Sequence, residues 1–146
     1  MSEEQARTPE IPSDMKAFNR RFVEDFRANG RRPAGPMAGR SILVLTTTGA
    51  RSGEPRTVVL GYGREGDSYV VIASNNGAAD HPAWYRNLLA NPMAMVEAEG
   101  EEIRVRARTA EPGERPRLAA RVPYLEGQQK LTQREIPLVV FEPVAG

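Results

Sequence analysis

Met15, Phe18, Phe22, Val23 and Phe26 recur three and four residues apart, with Ser13 suited to the N-cap and Asn29-Gly30 ending the pattern. That spacing predicts an amphipathic helix of about four turns. Its other face carries Lys16, Arg20, Arg21 and Arg27, which suits either packing on its own domain or peripheral contact of residues 13–29 with an anionic membrane. After a Gly/Pro-rich connector the period shortens to two. Runs 41–48, 56–62 and 68–74, the last two separated by the turn Arg64-Glu65-Gly66-Asp67, predict three strands in a meander. Residues 82–90 form a short helix with Pro82 in its first turn, Asp80 or His81 at its cap, and Trp84, Leu88 and Leu89 facing inward. Runs 93–99 and 102–110 flank Gly100 as a hairpin, in which Ile103, Val105 and Ala107 alternate with Arg104, Arg106 and Arg108. Residues 112–132 read as helix or helix plus irregular chain, and 137–142 as a last strand with its proline at the start.

Six short strands with connections too brief for helical crossovers predict a mainly β fold: a small antiparallel barrel with helices at its rim. Residues 13–146 make one domain, and the polar, proline-containing residues 1–12 a mobile tail. A chain of 146 residues can bury a sizeable core unaided. The longest apolar run, Tyr69 to Ala73, is far too short to span a bilayer, and no signal-peptide stretch opens the chain, so a soluble cytoplasmic protein is expected. With no cysteine and one histidine, thiolate chemistry, disulfides and a Cys/His metal centre are excluded.

The net charge of +1 hides an imbalance, because residues 15–56 hold 9 basic and 3 acidic groups. A pI near 8.1 without an aromatic platform argues against nucleic acid and for a local anion site. Two loops could build one. In Thr46-Thr47-Thr48-Gly49-Ala50-Arg51-Ser52-Gly53-Glu54-Pro55-Arg56, two glycines can turn backbone N–H groups toward one point while Arg51 and Arg56 add charge. Ser74-Asn75-Asn76-Gly77-Ala78-Ala79-Asp80 runs from a strand into a helix N-terminus, a second anion-binding arrangement. The same segments also read as plain turns with solvated arginines. His81 has no visible partner, and no nucleophile–base set emerges. An anion-cradling barrel without catalytic machinery of its own suits a protein that borrows its chemistry from a cofactor.

The stretches 43–56 (LVLTTTGARSGEPR), 69–77 (YVVIASNNG), 81–92 (HPAWYRNLLANP) and 136–143 (IPLVVFEP), with the patterns TTxGxxSGxxR and PxWYxNLxANP, carry a resemblance over about residues 15–143. In these the chain resembles the deazaflavin-dependent nitroreductase family, antiparallel split β-barrel oxidoreductases of the flavin-binding split-barrel type. The resemblance implies reduced coenzyme F420 as cofactor, with FMN as the alternative, and hydride transfer to a quinone or an activated C=C bond of a conjugated small molecule. It places Thr47, Thr48, Arg51, Ser52 and Arg56 on the cofactor's phosphate and tail. Ser74, Asn75, Asn76, Gly77 and Ala78 border the deazaflavin, Tyr85 its edge, while Trp84 and Asn87 pack and position the loop. Ser74, Tyr62 and Tyr124 are the candidate proton donors. Gly61, Tyr62, Tyr124, Leu125 and Gln128 line the acceptor side. Asn75 stands where relatives often carry lysine, and Gly61, Val122, Leu125, Gln128 and Leu131 where aromatics are usual, which implies a larger pocket and a polycyclic, polyketide-like acceptor. Relatives of this fold that hold a flavin, tetrapyrrole or fatty acid without turnover leave a non-catalytic binder as the other reading. Either a monomer or a weak homodimer is expected.

Overall fold

The computed structural model describes residues 15–144; the 1–12 tail and the Ser13 cap lie outside them. Helix α1 (Met15–Ala28) leads through a 3-10 turn to β1 (Ile42–Thr48), β2 (Pro55–Gly61), β3 (Gly63–Glu65) and β4 (Ser68–Ile72). A second 3-10 turn (Asn75–Gly77) precedes α2 (Ala83–Ala90), β5 (Met93–Ala98) and β6 (Glu101–Thr109). Two single-turn helices, α3 (Arg115–Ala119) and α4 (Leu125–Gln129), lead into β7 (Leu138–Pro143). Among the described residues no helix is long and apolar enough to cross a membrane.

All strands join one antiparallel sheet in the order β2-β1-β5-β6-β7-β4-β3. Strands β2 and β3 therefore lie at opposite edges, yet only Tyr62 separates them in the chain. One residue spans about 3.5 Å, so the sheet must curl until its two edges adjoin. The result is the expected split barrel. The expected meander is corrected to two hairpins at opposite edges, β1–β2 and β3–β4, and the strand count rises from six to seven because β3 uses part of the supposed turn. At Gly63 a Cβ would stand 2.1 Å from the carbonyl oxygen of Arg121, so the edge-to-edge step requires glycine there.

Alternation along the strands sorts two cores. Tyr69 and Val71 face inward with Leu43, Leu45, Val96, Val105, Val139 and Phe141. Val70 and Ile72 face outward beneath α3 and α4, packed with Leu118, Val122, Leu125, Ile136, Leu138 and Val140. Burial on both faces explains why 69–73 is the longest apolar run in the chain. On β6 the expected alternation holds: Val105 is buried, Ile103 and Ala107 are half-buried, and the intervening arginines are exposed. Its hairpin turns through Glu99 and Gly100 at φ 53° and 82°, a pair that favours a primed turn.

Helix α1 docks on the outside of the barrel through Val23 and Phe26, which pack with Phe22 on Val44 and Val59. This corrects the membrane reading for that part of the stripe, because its apolar side chains are covered by the protein's own sheet. An ion pair fastens the dock. Arg27 donates from Nε and Nη2 to the two carboxylate oxygens of buried Glu97 at 2.8 and 2.7 Å, and Arg31 Nε lies 3.2 Å from the same group. At α2 the cap position falls on Pro82 with no side-chain cap, so neither Asp80 nor His81 serves, and Leu89 is 63% exposed rather than inward.

Gly63→Ala should lower stability by about 3 kcal/mol or more, because the carbonyl it meets is backbone and cannot rotate away; urea unfolding measures this. Hydrogen bonds from Arg27 hold the Glu97 carboxyl below its ordinary pKa. A depressed carboxylate pKa adds stability that is present above the unfolded value and lost as pH falls through the folded one. Glu97→Gln should therefore be less stable than wild type by about 1–3 kcal/mol at pH 7, with the gap closing below about pH 4. A gap independent of pH in urea titrations would contradict that account.

Candidate functional site

The strand register brings both sequence-marked loops to one end of the barrel. Thr48 pairs with Pro55 where β1 gives way to the 49–54 loop, and Thr46 pairs with Met95. On the other half Ile72 pairs with Leu138, and Thr109 with Val139, so β4 releases the 73–82 segment at that same end.

The 49–54 loop is tightly self-bonded. Gly49 N–H donates to Glu54 O at 2.8 Å, Gly53 N–H to Gly49 O at 2.9 Å, and Glu54 N–H to Ser52 Oγ at 3.1 Å. Ser52 Oγ also accepts from Arg56 Nη2 at 3.3 Å. Helix α2 completes the frame: buried Asn87 donates to Thr47 Oγ1 at 3.1 Å and accepts from Ala50 N–H at 3.0 Å. The backbone cradle expected here is thus largely occupied from within, and the loop presents guanidinium groups instead. Asn87 fills the positioning role expected of it. Thr47 is buried on Asn87, and Thr48 is half-exposed at the end of β1.

Between this loop, α1 and α2 lies a cleft of about 1100 Å³. Arg20 and Arg27 from α1, Arg51 and Arg56 from the loop and Arg86 from α2 line it, against one carboxylate, Glu24. Ser52, Val58 and Trp84 complete its wall. Sequence reasoning missed Arg20, Arg27 and Arg86 as cleft residues, since the pattern assigns the first two to a helix face suited to an anionic membrane and the third falls on a variable position of PxWYxNLxANP.

The 74–78 segment lies outside that lining and packs against α4. Gly77 N–H donates to Ser74 O and Ala78 N–H to Asn75 O, each at 3.0 Å, while Asn75 Nδ2 donates to Asp80 O at 3.0 Å. Gly77 sits at φ 81° against Leu131, whose Cβ would be 2.5 Å from any added Cβ. The backbone of Asn76 belongs to the same turn.

Tyr85 departs from its expected place. It is buried in the inner core with its hydroxyl 2.7 Å from Thr109 Oγ1, so it packs the barrel rather than edging the cleft. The acceptor-side set divides. Gly61 and Tyr124 meet: a Cβ on Gly61 would lie 3.5 Å from the Tyr124 hydroxyl, so that ring tip occupies part of the room a larger, emptier pocket would need. Leu125 is buried in the outer core, and the side-chain oxygen of Gln128 is buried with no hydrogen-bond partner among the described residues. Tyr62 is buried and donates to Glu99 Oε2 at 2.6 Å; burial, then that carboxylate, push its phenol well above the ordinary value, and its proton is committed to the Glu99 hydrogen bond. Tyr124 is 42% exposed, and burial of the remainder pushes its phenol up to about 12. Ser74 is half-buried at the start of the turn.

The family model described as F420H(2)-dependent quinone reductase matches residues 18–143. An F420H(2)-dependent quinone reductase of Mycobacterium tuberculosis is 41% identical over 70 residues, 48% of this chain and 47% of the relative. A second M. tuberculosis relative of that description is 32% identical over 105 residues, 69% of this chain and 88% of the relative. The match spans about half the length of the first of these. A solved F420-H2 dependent reductase (FDR-A) superposes with a TM-score of 0.63 at 35% identity, covering 70% of this chain and 95% of that one. A chain described as a domain-swapped dimer gives 0.67 at 31%, covering 89% and 100%. The heme storage protein HutZ of Vibrio cholerae, at 20% identity and a TM-score of 0.54, shares the fold alone. The curated relatives named here are described by F420H(2), and none of them supports the FMN alternative. The family model covers most of the chain, which therefore belongs to the F420H(2)-dependent quinone reductase family.

Proposed function

We propose that the protein is an F420H(2)-dependent reductase that passes a hydride to a quinone or to an activated C=C bond of a conjugated acceptor. The arginine cleft carries this reading. Of the five guanidinium groups lining a space large enough for an extended ligand, Arg27 is already matched by Glu97, and the other four face Glu24 as the one carboxylate of the described lining, a donor set that fits a phosphate and carboxylate-bearing cofactor. Bound there, reduced F420 supplies the hydride; a quinone gains that hydride and one proton and leaves as the hydroquinone.

The chain's own part is to bind, orient and exclude water. Arg51 and Arg56 hold the anionic portion, and Asn87 fixes the loop that presents them. The 74–78 turn, beside α4, walls the side toward the acceptor. Gly61 and Tyr124 set the edge of the acceptor space: the Tyr124 hydroxyl partly fills the room left by the missing side chain at 61, so a polycyclic acceptor is admitted only where that ring swings aside. With Tyr62 held by Glu99, the proton comes from Ser74, Tyr124 or solvent.

Losing one charge-assisted hydrogen bond removes about 1.5–3 kcal/mol, so Arg51→Ala and Arg56→Ala should each weaken F420 binding roughly tenfold to a hundredfold. The loss should be smaller for a truncated cofactor without the phosphate tail; fluorescence titration reads both, and unchanged affinities would remove the cleft from the reading. Asn87→Ala leaves the Ala50 N–H without its acceptor and should cost about 1–3 kcal/mol in urea unfolding while also weakening F420 binding. Stability loss with unaltered affinity would show that the loop's position does not matter to the cofactor.

A further inference from the structure

Arg134 has no part in the reading so far, yet it makes four contacts to one segment more than fifty residues away. Its Nε donates to Ala78 O at 2.9 Å, and Nη2 donates to Ser74 O at 2.7 Å and Ala73 O at 3.2 Å. Nη1 lies 2.9 Å from His81 Nδ1. A guanidinium only donates, so His81 accepts at Nδ1 and keeps its proton on Nε2. Arg134 is itself held by a turn wrapped around Gln129, which donates to Arg134 O at 2.7 Å and accepts from Ile136 N–H at 2.9 Å. The end of β4, the 3-10 turn and the approach to α2 are thereby tied to the segment that follows α4.

The peptide geometry gives this clamp a direction. No peptide bond among the described residues is cis, and in a trans peptide the N–H points opposite to the C=O. The carbonyls of Ala73, Ser74 and Ala78 face Arg134, so the N–H groups of Ser74, Asn75 and Ala79 face away from it. Among the described residues those three N–H groups have no protein acceptor. Ser74 is right-handed and Asn75 follows at φ 50°, a succession that turns neighbouring N–H groups toward one side. A cation on each carbonyl also strengthens the donor at the other end of the same peptide.

We propose that Arg134 is the positioning residue for the 74–78 wall: it holds the carbonyls of Ala73, Ser74 and Ala78 behind the turn and so presents the opposite N–H groups to an anionic or carbonyl oxygen of the bound cofactor. The assignment rests on the F420 reading. Arg134 acts through the turn and touches no reacting atom.

The test titrates F420 fluorescence on wild type, Arg134→Ala, Arg134→Lys and Leu118→Ala, the last a destabilising control in the outer core. Amide exchange at Gly77 and Ala78 is followed without cofactor in parallel. Arg134→Ala should raise the Kd tenfold or more and speed exchange at both amides. Arg134→Lys should recover only part of this, because a point-charge ammonium lacks the planar fork. Guanidinium ion at millimolar concentration should partly restore binding to Arg134→Ala and do nothing for Leu118→Ala. Wild-type affinity in Arg134→Ala, or a loss no greater than in Leu118→Ala and not rescued by guanidinium, overturns the assignment and leaves the F420 reading intact. If wild type does not bind F420, that reading falls and the cofactor role of Arg134 with it. Should Arg134→Ala fail to fold, Arg134→Lys and Arg134→Gln supply the same comparison.

Discussion

The link of one residue between the two edges of the sheet constrains everything built on it. Strands β2 and β3 can be neighbours in the chain and outermost in the sheet only if the sheet curls through the full order of seven strands. Tyr62 at that step is buried and bonded to Glu99, so the closure is fastened to the β5–β6 turn as well as being enforced by the covalent chain. Glycines on either side let other segments come close: Tyr124 reaches over Gly61, and the Arg121 carbonyl lies against Gly63. Glu65, at the end of β3, accepts from Arg117 and Arg121, which keeps α3 and the chain after it over the seam.

Curling also determines where charge collects. Because β1–β2 and β4–β7 open at the same end, loops more than twenty residues apart leave the barrel together. Five arginines then line one cleft against Glu24, which gives it an excess of positive charge. Arg27 alone is matched by a buried carboxylate, and its partner Glu97 belongs to the barrel. That pair anchors α1, and α1 carries Arg20 to the cleft. Local rules of charge balance fail where the ligand is expected to balance the charge, as functional sites commonly do.

Much of this was legible in the sequence because it is local. The β6 alternation, the Gly100 hairpin, the chain from Asn87 to the Thr47 loop and the split barrel implied by the family patterns all have short-range signatures. Strand pairing does not. The runs 41–48, 56–62 and 68–74 look like successive meander strands, and nothing within them says that the second is one edge of the sheet while the third lies beside β3 at the other. On a two-turn helix, Trp84, Tyr85, Leu88 and Leu89 are all apolar, so periodicity could not tell that Tyr85 points into the barrel and Leu89 to solvent. Leu125 likewise occupies the outer core, a layer that exists only because α3 and α4 fold back over β4 and β7. Arg134 was invisible because three of its four partners are backbone carbonyls, which leave no residue signature.

The fold keeps the proposed cofactor and acceptor sides on separate supports. The arginine cleft stands on α1, α2 and the β1–β2 loop, whereas Tyr124 and Gln128 stand on the segment that covers the seam. Substitutions between 115 and 131 can therefore reshape the acceptor space while Asn87 keeps the basic loop in place. The supports meet at the 74–78 turn, which packs on α4, runs on toward α2 and is tied from behind by Arg134. A change in how α4 sits would reach the cofactor side through that turn, so the two kinds of specificity are independent only as far as the turn is rigid. The side chains described in the turn are exposed or half-exposed, so little packing holds it and the hydrogen bonds to one guanidinium are its main tie to the segment after α4.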